Sequence, residues 1–223
     1  MDGTELILWR TACASALAAD YLARKDAKVM VMIGAGALAP HIIKAHLHCQ
    51  PSLDKVLVWN RNHGTAVKLV EGLRSWPLLG DHVVVEAVTD LESSVRAGDL
   101  ISCATLATEP LVLGSWLTPG THLDLVGSFS PLMRECDNAA VKRARVVVDT
   151  MDAVEKSGDL IQPIQQRVIS REHIVGTLAD LVQGIVPART SPHEITMYKS
   201  VGYTVADLTV AQIVYEQIRG QVK

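Results

Sequence analysis

Two glycines separated by one residue, Gly34 and Gly36, follow the apolar run at residues 29–33. This order is typical of the strand, tight turn and helix that bind the pyrophosphate of a dinucleotide. The first position needs glycine because a side chain would clash in the turn, and the second because the backbone must approach the phosphates closely. Small Ala39 takes the third position, where helix and strand pack together.

The helix that follows this turn would present its free backbone N–H groups to the phosphates, with Ala37 and Leu38 at its start. The pattern predicts a cofactor-binding turn in which Gly34, Gly36, Ala37 and Leu38 take part. By itself, however, the pattern is a weak signal, and an ordinary glycine turn remains the alternative.

The end of the second predicted strand distinguishes NADP from NAD in such folds. Asn60 follows Gly34 at a slightly longer spacing than the roughly 20 residues typical of the motif, and it replaces the acidic residue that binds an NAD ribose. Arg61 and Asn62 come next, and a guanidinium and neutral amides suit a 2′-phosphate, with a charge-assisted contact worth roughly 1.5–3 kcal/mol. We therefore expect NADPH rather than NADH. Arg61 as an ordinary surface residue is the alternative.

These residues need a scaffold, and strand-like and helix-like segments alternate along the chain. The predicted strands are residues 29–33, 55–59, 83–85, 99–103, 121–126 and 145–148. Such alternation predicts an α/β fold with a Rossmann-like, doubly wound parallel sheet. Ligands bind at the carboxyl ends of the strands in that topology, so the polar loops at 104–110 and 126–131 are expected beside the glycine turn.

Composition limits the classes of function. The 223 residues are 48% hydrophobic and 20% charged with a net charge of −3, which is typical of one globular α/β domain with attachments. Without a basic surface there is no reason to expect nucleic acid or an anionic membrane as a partner. The four cysteines are far apart, so neither a metal site nor a disulfide framework is expected. We expect a cytoplasmic protein, with an organellar location left open because a leader could precede residue 1.

The remaining segments give further structural expectations. Helical spacing predicts a helix at residues 4–23 and a final helix at 204–219 that packs on it. Asp124 is expected to be buried or turned away within its strand, whereas His41, His46 and His48 are expected at the surface or at a helix end. We also expect a helix stop at Gly158, a short helix at 176–184 and a capped helical turn at Ser191-Pro192.

Several motifs together identify a resemblance. They are Arg10-Thr-Ala, Gly34-Ala-Gly36, Trp59-Asn-Arg61, Thr105-Leu-Ala-Thr-Glu-Pro110, Trp116-x-x-Pro-Gly120, Val126-Gly127, Arg134-Glu135 and Thr196-x-x-Lys-Ser-Val-Gly202. In this order they resemble the ornithine cyclodeaminase and mu-crystallin family over essentially the whole chain. Val126-Gly-Ser-Phe and Met133-Arg-Glu-Cys136 look most like the cyclic ketimine reductases. That resemblance implies reduction of Δ1-piperideine-2-carboxylate to pipecolate, or of Δ1-pyrroline-2-carboxylate to proline, with a nicotinamide cofactor.

The resemblance also implies roles for individual residues. Arg10, which composition alone would treat as a guanidinium reaching to solvent, matches a family arginine that binds a carboxylate or phosphate in the active site. Arg10 and Lys199 are the implied catalytic residues. The implied cofactor contacts, besides the glycine turn, are Asn60, Arg61, Asn62, Ala104, Thr105, Val126 and Ser200. The implied substrate contacts, besides Arg10, are Gly127, Ser128, Phe129, Val201 and Gly202.

Phe129 departs from the cyclodeaminases, where the matching loop resembles Gly-Gly-Asp and the aspartate acts as a base. A phenyl ring cannot accept a proton, and losing a general base typically costs a factor of roughly 10²–10⁴. An iminium carbon accepts hydride without such a base, so the loop favours ketimine reduction. Ornithine cyclodeaminase activity, and a non-catalytic NADP(H) and small-ligand binding protein of mu-crystallin type, remain as alternatives.

A second departure concerns the start of the chain. Family members carry a substrate and dimerisation domain before the first helix, with another arginine and a lysine near the reacting atoms. We expect residues 1–23 to be a helix of that incomplete domain, 24–192 the NADP(H)-binding domain and 193–223 a return segment. An exposed apolar face is then expected on the terminal helices. A homodimer is expected if the missing part is present, and the activity of the shortened chain is left open.

Overall fold

The computed structural model describes residues 2–77, 79–80 and 82–221, so residues 1, 222 and 223 of the predicted terminal segments lie outside the described residues. Strands β1 to β8 within these ranges are Val29–Ile33, Lys55–Trp59, Val84–Val88, Leu100–Cys103, His122–Leu125, Arg145–Val148, Ile174–Thr177 and Thr196–Lys199. All pairings are parallel, and the strand order is β3-β2-β1-β4-β5-β8-β6-β7.

Helices separate the strands. Within the same ranges, helices α1 to α9 are Gly3–Leu22, Ala39–Cys49, His63–Arg74, Leu91–Ala97, Asn138–Arg143, Ala153–Lys156, Gly158–Gln165, Leu178–Val182 and Thr204–Gln221. None of the helices in the described residues combines the length and apolarity needed to cross a bilayer.

The apolar strands are buried on both faces of the sheet. In β1, Met30 and Met32 pack with α1, α2 and α3, whereas Val31 and Ile33 pack on the other face with α4, α5 and α7. An unbroken apolar run is typical of a strand covered by helices on both sides, and β1 has one. The predicted α/β Rossmann-like doubly wound sheet is confirmed.

Helix α1 lies against the sheet through small residues. Ala12, Ser15, Ala16, Ala18 and Ala19 are buried, which allows close packing on α2, β5 and β8. The side chain of its N-cap residue, Asp2, accepts hydrogen bonds from the backbone N–H groups of the first turn. The first helix is therefore a layer over the sheet, and its assignment to a second domain stays a prediction.

Helix α9 packs on α1, as expected. Both helices also present large apolar side chains to solvent, which confirms the expected exposed face; these are Ile7, Trp9, Leu17, Val205, Leu208, Ile213, Tyr215 and Ile218.

Several local predictions were wrong. The third strand begins at Val84 and continues to Val88, and β7 and β8 were not predicted as strands. Gly158 follows the C-cap Ser157 of α6, as predicted, but it is also the first residue of α7, a helix that the sequence did not predict. Ser191-Pro192 forms a turn that leads into β8, not into a helix. The helix predicted at 176–184 shortens to α8, because Ile174–Thr177 is a strand and Thr177 caps the helix with Asp180.

The predicted return segment, residues 193–223, contains a strand of the sheet. Strand β8 lies inside the sheet, between β5 and β6, although it was assigned to a return segment beginning at residue 193. Thr196–Lys199 is buried along its whole length, but Thr196 and Lys199 are polar, so the segment lacks the apolar run that predicts a buried strand.

His46 lies in the last turn of α2, as one of its two predicted positions required, but it is fully buried and not at the surface. Its Nε2 lies 3.5 Å from Oδ2 of Asp124, which also accepts a hydrogen bond from the Ser102 hydroxyl at 2.5 Å. Asp124 is fully buried, as predicted. A polar pair thus lies between α2 and the sheet, where a buried histidine can exist because it has a polar partner.

Candidate active site

The carboxyl ends of five neighbouring strands lie at one level. Ile33 of β1 is in register with Trp59 of β2 and Cys103 of β4. Cys103 pairs with Leu125 of β5, and Leu125 with Lys199 of β8. The predicted residues that follow these strand ends therefore meet along one edge of the sheet: Gly34, Asn60, Ala104, Val126 and Ser200.

Gly34 makes the turn after β1. Its φ is +101°, and a Cβ atom there would lie 2.5 Å from the carbonyl oxygen of Ala104. Its N–H donates to the carbonyl of Trp59 at 2.9 Å. A side chain is excluded both by the left-handed backbone and by the neighbouring strand end, which is the physical reason for glycine here.

Gly36 is glycine for a different reason. It is exposed, and a Cβ there would meet no protein atom within 4 Å. Within the described residues, no acceptor takes a hydrogen bond from the backbone N–H of Gly36, Ala37 or Leu38. Helix α2 starts just beyond them with no side-chain cap. Free N–H groups at an uncapped helix N-terminus suit an anion, so these residues fit a dinucleotide pyrophosphate.

Asn60 supports the glycine turn from the end of β2. Its Oδ1 accepts from the N–H of Ala35 at 3.1 Å, and its Nδ2 donates to the carbonyl of Asn62 at 3.0 Å. Both ends of the amide are therefore used inside the protein, whereas Arg61 and Asn62 are exposed. Arg61 is therefore an exposed cation just beyond the end of β2.

The loops that follow β4 and β5 are in close contact. A Cβ at Gly127 would lie 2.1 Å from the carbonyl oxygen of Thr105, so the second loop can approach the first only with glycine. Ser128 is buried and its hydroxyl donates to the carbonyl of Met133 at 2.6 Å. Phe129 is 54% exposed. Of the two predicted substrate-binding side chains in this loop, the phenyl ring faces solvent and the hydroxyl faces inward.

Lys199 is fully buried, which gives no support to its predicted catalytic role. Its ammonium donates to the carbonyl of Leu125 at 3.1 Å, and lies 3.5 Å from Asp159 and 3.9 Å from Glu135, both also fully buried. Burial raises the pKa of Glu135 to about 7, although Lys199 opposes this and Asp159 adds to it. The three side chains form a buried charge cluster under the loops.

Asp149 holds the segment that follows β8. Its Oδ2 accepts from the Ser200 hydroxyl at 2.8 Å and from the N–H groups of Val201 and Gly202 at 2.8 and 2.7 Å. The φ of Gly202 is +82°, and a Cβ there would lie 2.6 Å from Nη1 of Arg10. The structure thus brings predicted residues from the two ends of the chain, Arg10 and Val201–Gly202, to the same place.

Four carboxylates of this region were not identified from the sequence: Glu135, Asp149, Asp159 and Asp207. Asp149 directly follows the apolar run of β6, and an acidic residue at that position was a usable signal for the carboxyl edge of the sheet. Glu135 was noted only within a motif. The sequence gives no comparable local signal for Asp159 or Asp207.

Comparison with known proteins adds independent information. The sequence pattern of the ornithine cyclodeaminase/mu-crystallin family matches residues 1–222. The chain is 46% identical over 216 residues to Protein SAR DEFICIENT 4 of Arabidopsis thaliana, which covers 97% of this chain and 66% of that protein. It is 37% identical over 221 residues to Δ1-pyrroline-2-carboxylate reductase of Paracoccus denitrificans, which covers 99% of this chain and 68% of that protein.

A solved structure shows the same architecture. The Δ1-pyrroline-2-carboxylate reductase of Thermococcus litoralis, in complex with NADH and L-proline, matches with a TM-score of 0.93 and 34% identity. The match covers 99% of this chain and 67% of that chain. The present chain spans about two thirds of the length of the curated relatives it matches.

Proposed function

This chain belongs to the ornithine cyclodeaminase/mu-crystallin family, and on that premise we propose that the whole protein reduces a cyclic ketimine carboxylate with a nicotinamide dinucleotide. The substrate is Δ1-piperideine-2-carboxylate or Δ1-pyrroline-2-carboxylate. One observation carries the proposal: a glycine turn suited to pyrophosphate shares an edge with a loop, Gly127–Phe129, that offers no acid or base to a substrate.

The glycine turn and Arg61 support the cofactor assignment. Backbone N–H groups at residues 36–38 would hold the pyrophosphate, and exposed Arg61 would reach the 2′-phosphate of NADPH. Without an acidic residue at the end of β2, the NAD ribose lacks its usual partner. NADPH is therefore proposed as the preferred cofactor. The Thermococcus litoralis relative contains NADH, which makes a direct comparison of the two nucleotides the decisive measurement.

The proposed contacts with the substrate come from Arg10 and from the loop at residues 127–129. Arg10 lies against Gly202, with 15% of its side chain exposed, and its guanidinium could hold the carboxylate of the ketimine by a bidentate contact. Phe129 offers an apolar face to the ring carbons. Glu135 cannot act as a base on the substrate in this conformation, because it is fully buried and accepts hydrogen bonds from the loop backbone.

The proposed reduction requires little proton transfer by side chains of the protein. When bound, the dinucleotide would supply hydride to the carbon of the C=N bond. A protonated ketimine already carries the proton on nitrogen, so hydride addition leaves a neutral amine that takes a further proton from water. The residues named here orient the substrate and exclude water, and correct orientation alone can account for several orders of magnitude in rate.

The test is turnover by the full-length protein. We expect oxidation of NADPH, followed at its absorbance band, with Δ1-piperideine-2-carboxylate or Δ1-pyrroline-2-carboxylate, and slower oxidation of NADH. Conversion of ornithine to proline without net oxidation of NADPH would instead show a cyclodeaminase. Tight nucleotide binding without turnover of either ketimine would show a binding protein and contradict the proposal.

A further inference from the structure

Glu135 lies under the two loops of the candidate site and contacts both of them. It sits in the segment between β5 and α5, and its side chain is fully buried. The neighbouring residue Cys136 pairs with Val112 in an isolated parallel bridge, which fixes the backbone at this point.

The two oxygens of Glu135 hold two different loops. Oε1 accepts from the backbone N–H of Thr105 at 2.8 Å and from its hydroxyl at 2.9 Å. Oε2 accepts from the backbone N–H of Gly127 at 2.7 Å and of Ser128 at 3.3 Å. One carboxylate therefore joins the loop after β4 to the loop after β5.

Its neighbours explain how this carboxylate tolerates burial. The Lys199 ammonium lies 3.9 Å away, and Asp159 accepts hydrogen bonds from the backbone N–H groups of Glu135 and Cys136 at 2.8 and 3.2 Å. A buried carboxylate is costly unless it is hydrogen-bonded and compensated in charge. The N–H and hydroxyl donors of the two loops supply the hydrogen bonds, and Lys199 supplies a positive charge that it shares with Asp159. An arrangement with this many partners allows little freedom to either loop.

We propose that Glu135 is a positioning residue for the reduction, which sets the distance between the loops carrying Ala104–Thr105 and Gly127–Phe129. This inference rests on the proposed function, since the first loop is assigned to the cofactor and the second to the substrate. Gly127 shows how tight the spacing is, because its Cβ position would lie 2.3 Å from Oε1 of Glu135. Movement of either loop separates the two reactants, and a displacement of about 1 Å can cost roughly 100-fold in rate.

The test uses the full-length protein with the substitution Glu135→Gln. An amide in place of the carboxylate directs an NH2 group at N–H donors of one loop, so that loop is released while the side-chain volume is kept. We expect kcat to fall by about 10- to 100-fold, with the Kd of the dinucleotide changed by less than about threefold. Amide hydrogen exchange should become faster in residues 104–108 and 126–130 and stay unchanged in β1 and α2.

Two further variants complete the design. Thr105→Val removes the hydroxyl contact with Glu135 and a longer one with the N–H of Ala107, but keeps the backbone contact with Glu135. It should give a smaller fall in kcat with faster exchange in the same loop, and it tests the positioning role if Glu135→Gln does not fold. Glu92→Gln is the matched control, because it neutralises an exposed carboxylate of α4 that pairs with Arg96. It should retain wild-type kinetics.

The possible outcomes separate the two proposals. Wild-type kcat in Glu135→Gln, or unchanged exchange in both loops, overturns the positioning role. A fall in kcat that is matched by an equal loss of dinucleotide affinity also overturns it. If the wild-type protein reduces no ketimine, the proposed function fails, and the exchange measurement alone still decides whether Glu135 holds the loops.

Discussion

The guanidinium of Arg10 in α1 and the carboxylate of Asp207 in α9 form an ion pair, with Nε 2.9 Å from Oδ1. The two residues are nearly the full length of the chain apart in sequence. Asp207 lies on the Nε side of the Arg10 guanidinium, whereas the two Nη atoms of Arg10 lie near Gly202. The ion pair with the last helix therefore helps to orient Arg10.

Replacing Arg10 tests its proposed contact with the substrate. Arg10→Lys keeps the charge but loses the planar fork, so the KM for the ketimine should rise about tenfold or more, with the Kd of the dinucleotide little changed. Asp207→Asn should raise the same KM by a smaller factor, because its side chain is 39% exposed and solvent weakens the pair. Steady-state kinetics measure both. A larger effect of Asp207→Asn than of Arg10→Lys would contradict this assignment.

The two glycines of the turn should respond differently to alanine. Gly34→Ala places a Cβ against Ala104 at a positive φ, and should lower the free energy of unfolding by about 1–3 kcal/mol. In Gly36→Ala the new Cβ meets no protein atom, so the thermal stability of this variant should equal that of the wild type. Its affinity for the dinucleotide should fall about tenfold or more, because the Cβ lies where the pyrophosphate is proposed to bind.

Gly72→Ala is the control for these two variants. Gly72 lies within α3 with nothing near its Cβ position, and alanine there should add about 0.5–1 kcal/mol of stability. Calorimetry and fluorescence titration give the two readouts. Unchanged dinucleotide binding in Gly36→Ala would place the pyrophosphate elsewhere.

Arg61 tests the preference for a phosphorylated cofactor. Arg61→Ala should weaken the binding of NADPH by about tenfold or more, because a charge-assisted contact with the 2′-phosphate is lost. The affinity for NADH should be almost unchanged. Lys68→Ala, which removes another exposed cation from α3, should affect neither nucleotide. Equal losses for NADPH and NADH in Arg61→Ala would count against the assignment.

The burial of His122 predicts that the folded protein loses stability in acid. His122 is fully buried, its Nδ1 lies 2.9 Å from the Thr196 hydroxyl, and burial lowers its pKa to about 3 although Asp124 opposes this. In the unfolded chain His122 takes up a proton as the pH falls through about 6.5. In the folded chain it takes up this proton only near pH 3. Stability from this group is therefore complete above pH 6.5 and falls by about 1.4 kcal/mol per pH unit below it.

The free energy of unfolding, measured in urea between pH 7 and pH 4.5, gives this pH dependence for the wild type and for a variant that lacks His122. His122→Gln should remove about one proton from the pH dependence, so its stability should fall less steeply than that of the wild type. His193→Gln, at an exposed histidine, is the control and should keep the wild-type slope. Parallel curves for His122→Gln and the wild type would contradict the burial of a neutral histidine.

Local pattern was sufficient for most of the fold. Apolar runs such as Val29–Ile33 and residues 146–148 identify strands, because strands covered on both faces are typically apolar along their length. The glycine turn could also be located, since its spacing reflects backbone geometry within a few residues. Ser191-Pro192 was misread, because its residue types suit both a cap and a turn.

The candidate site depended on strand order, which local pattern does not contain. Sequence alone determined the turn at Gly34, the exposed cation at Arg61 and the absence of a carboxylate at Phe129. Only the tertiary structure placed β8 between β5 and β6, and thereby buried Lys199 beside Glu135 and Asp159 instead of leaving it in the cleft. Contacts of this kind join segments far apart in the chain, and they form only when the packing of the whole sheet decides which strands are neighbours.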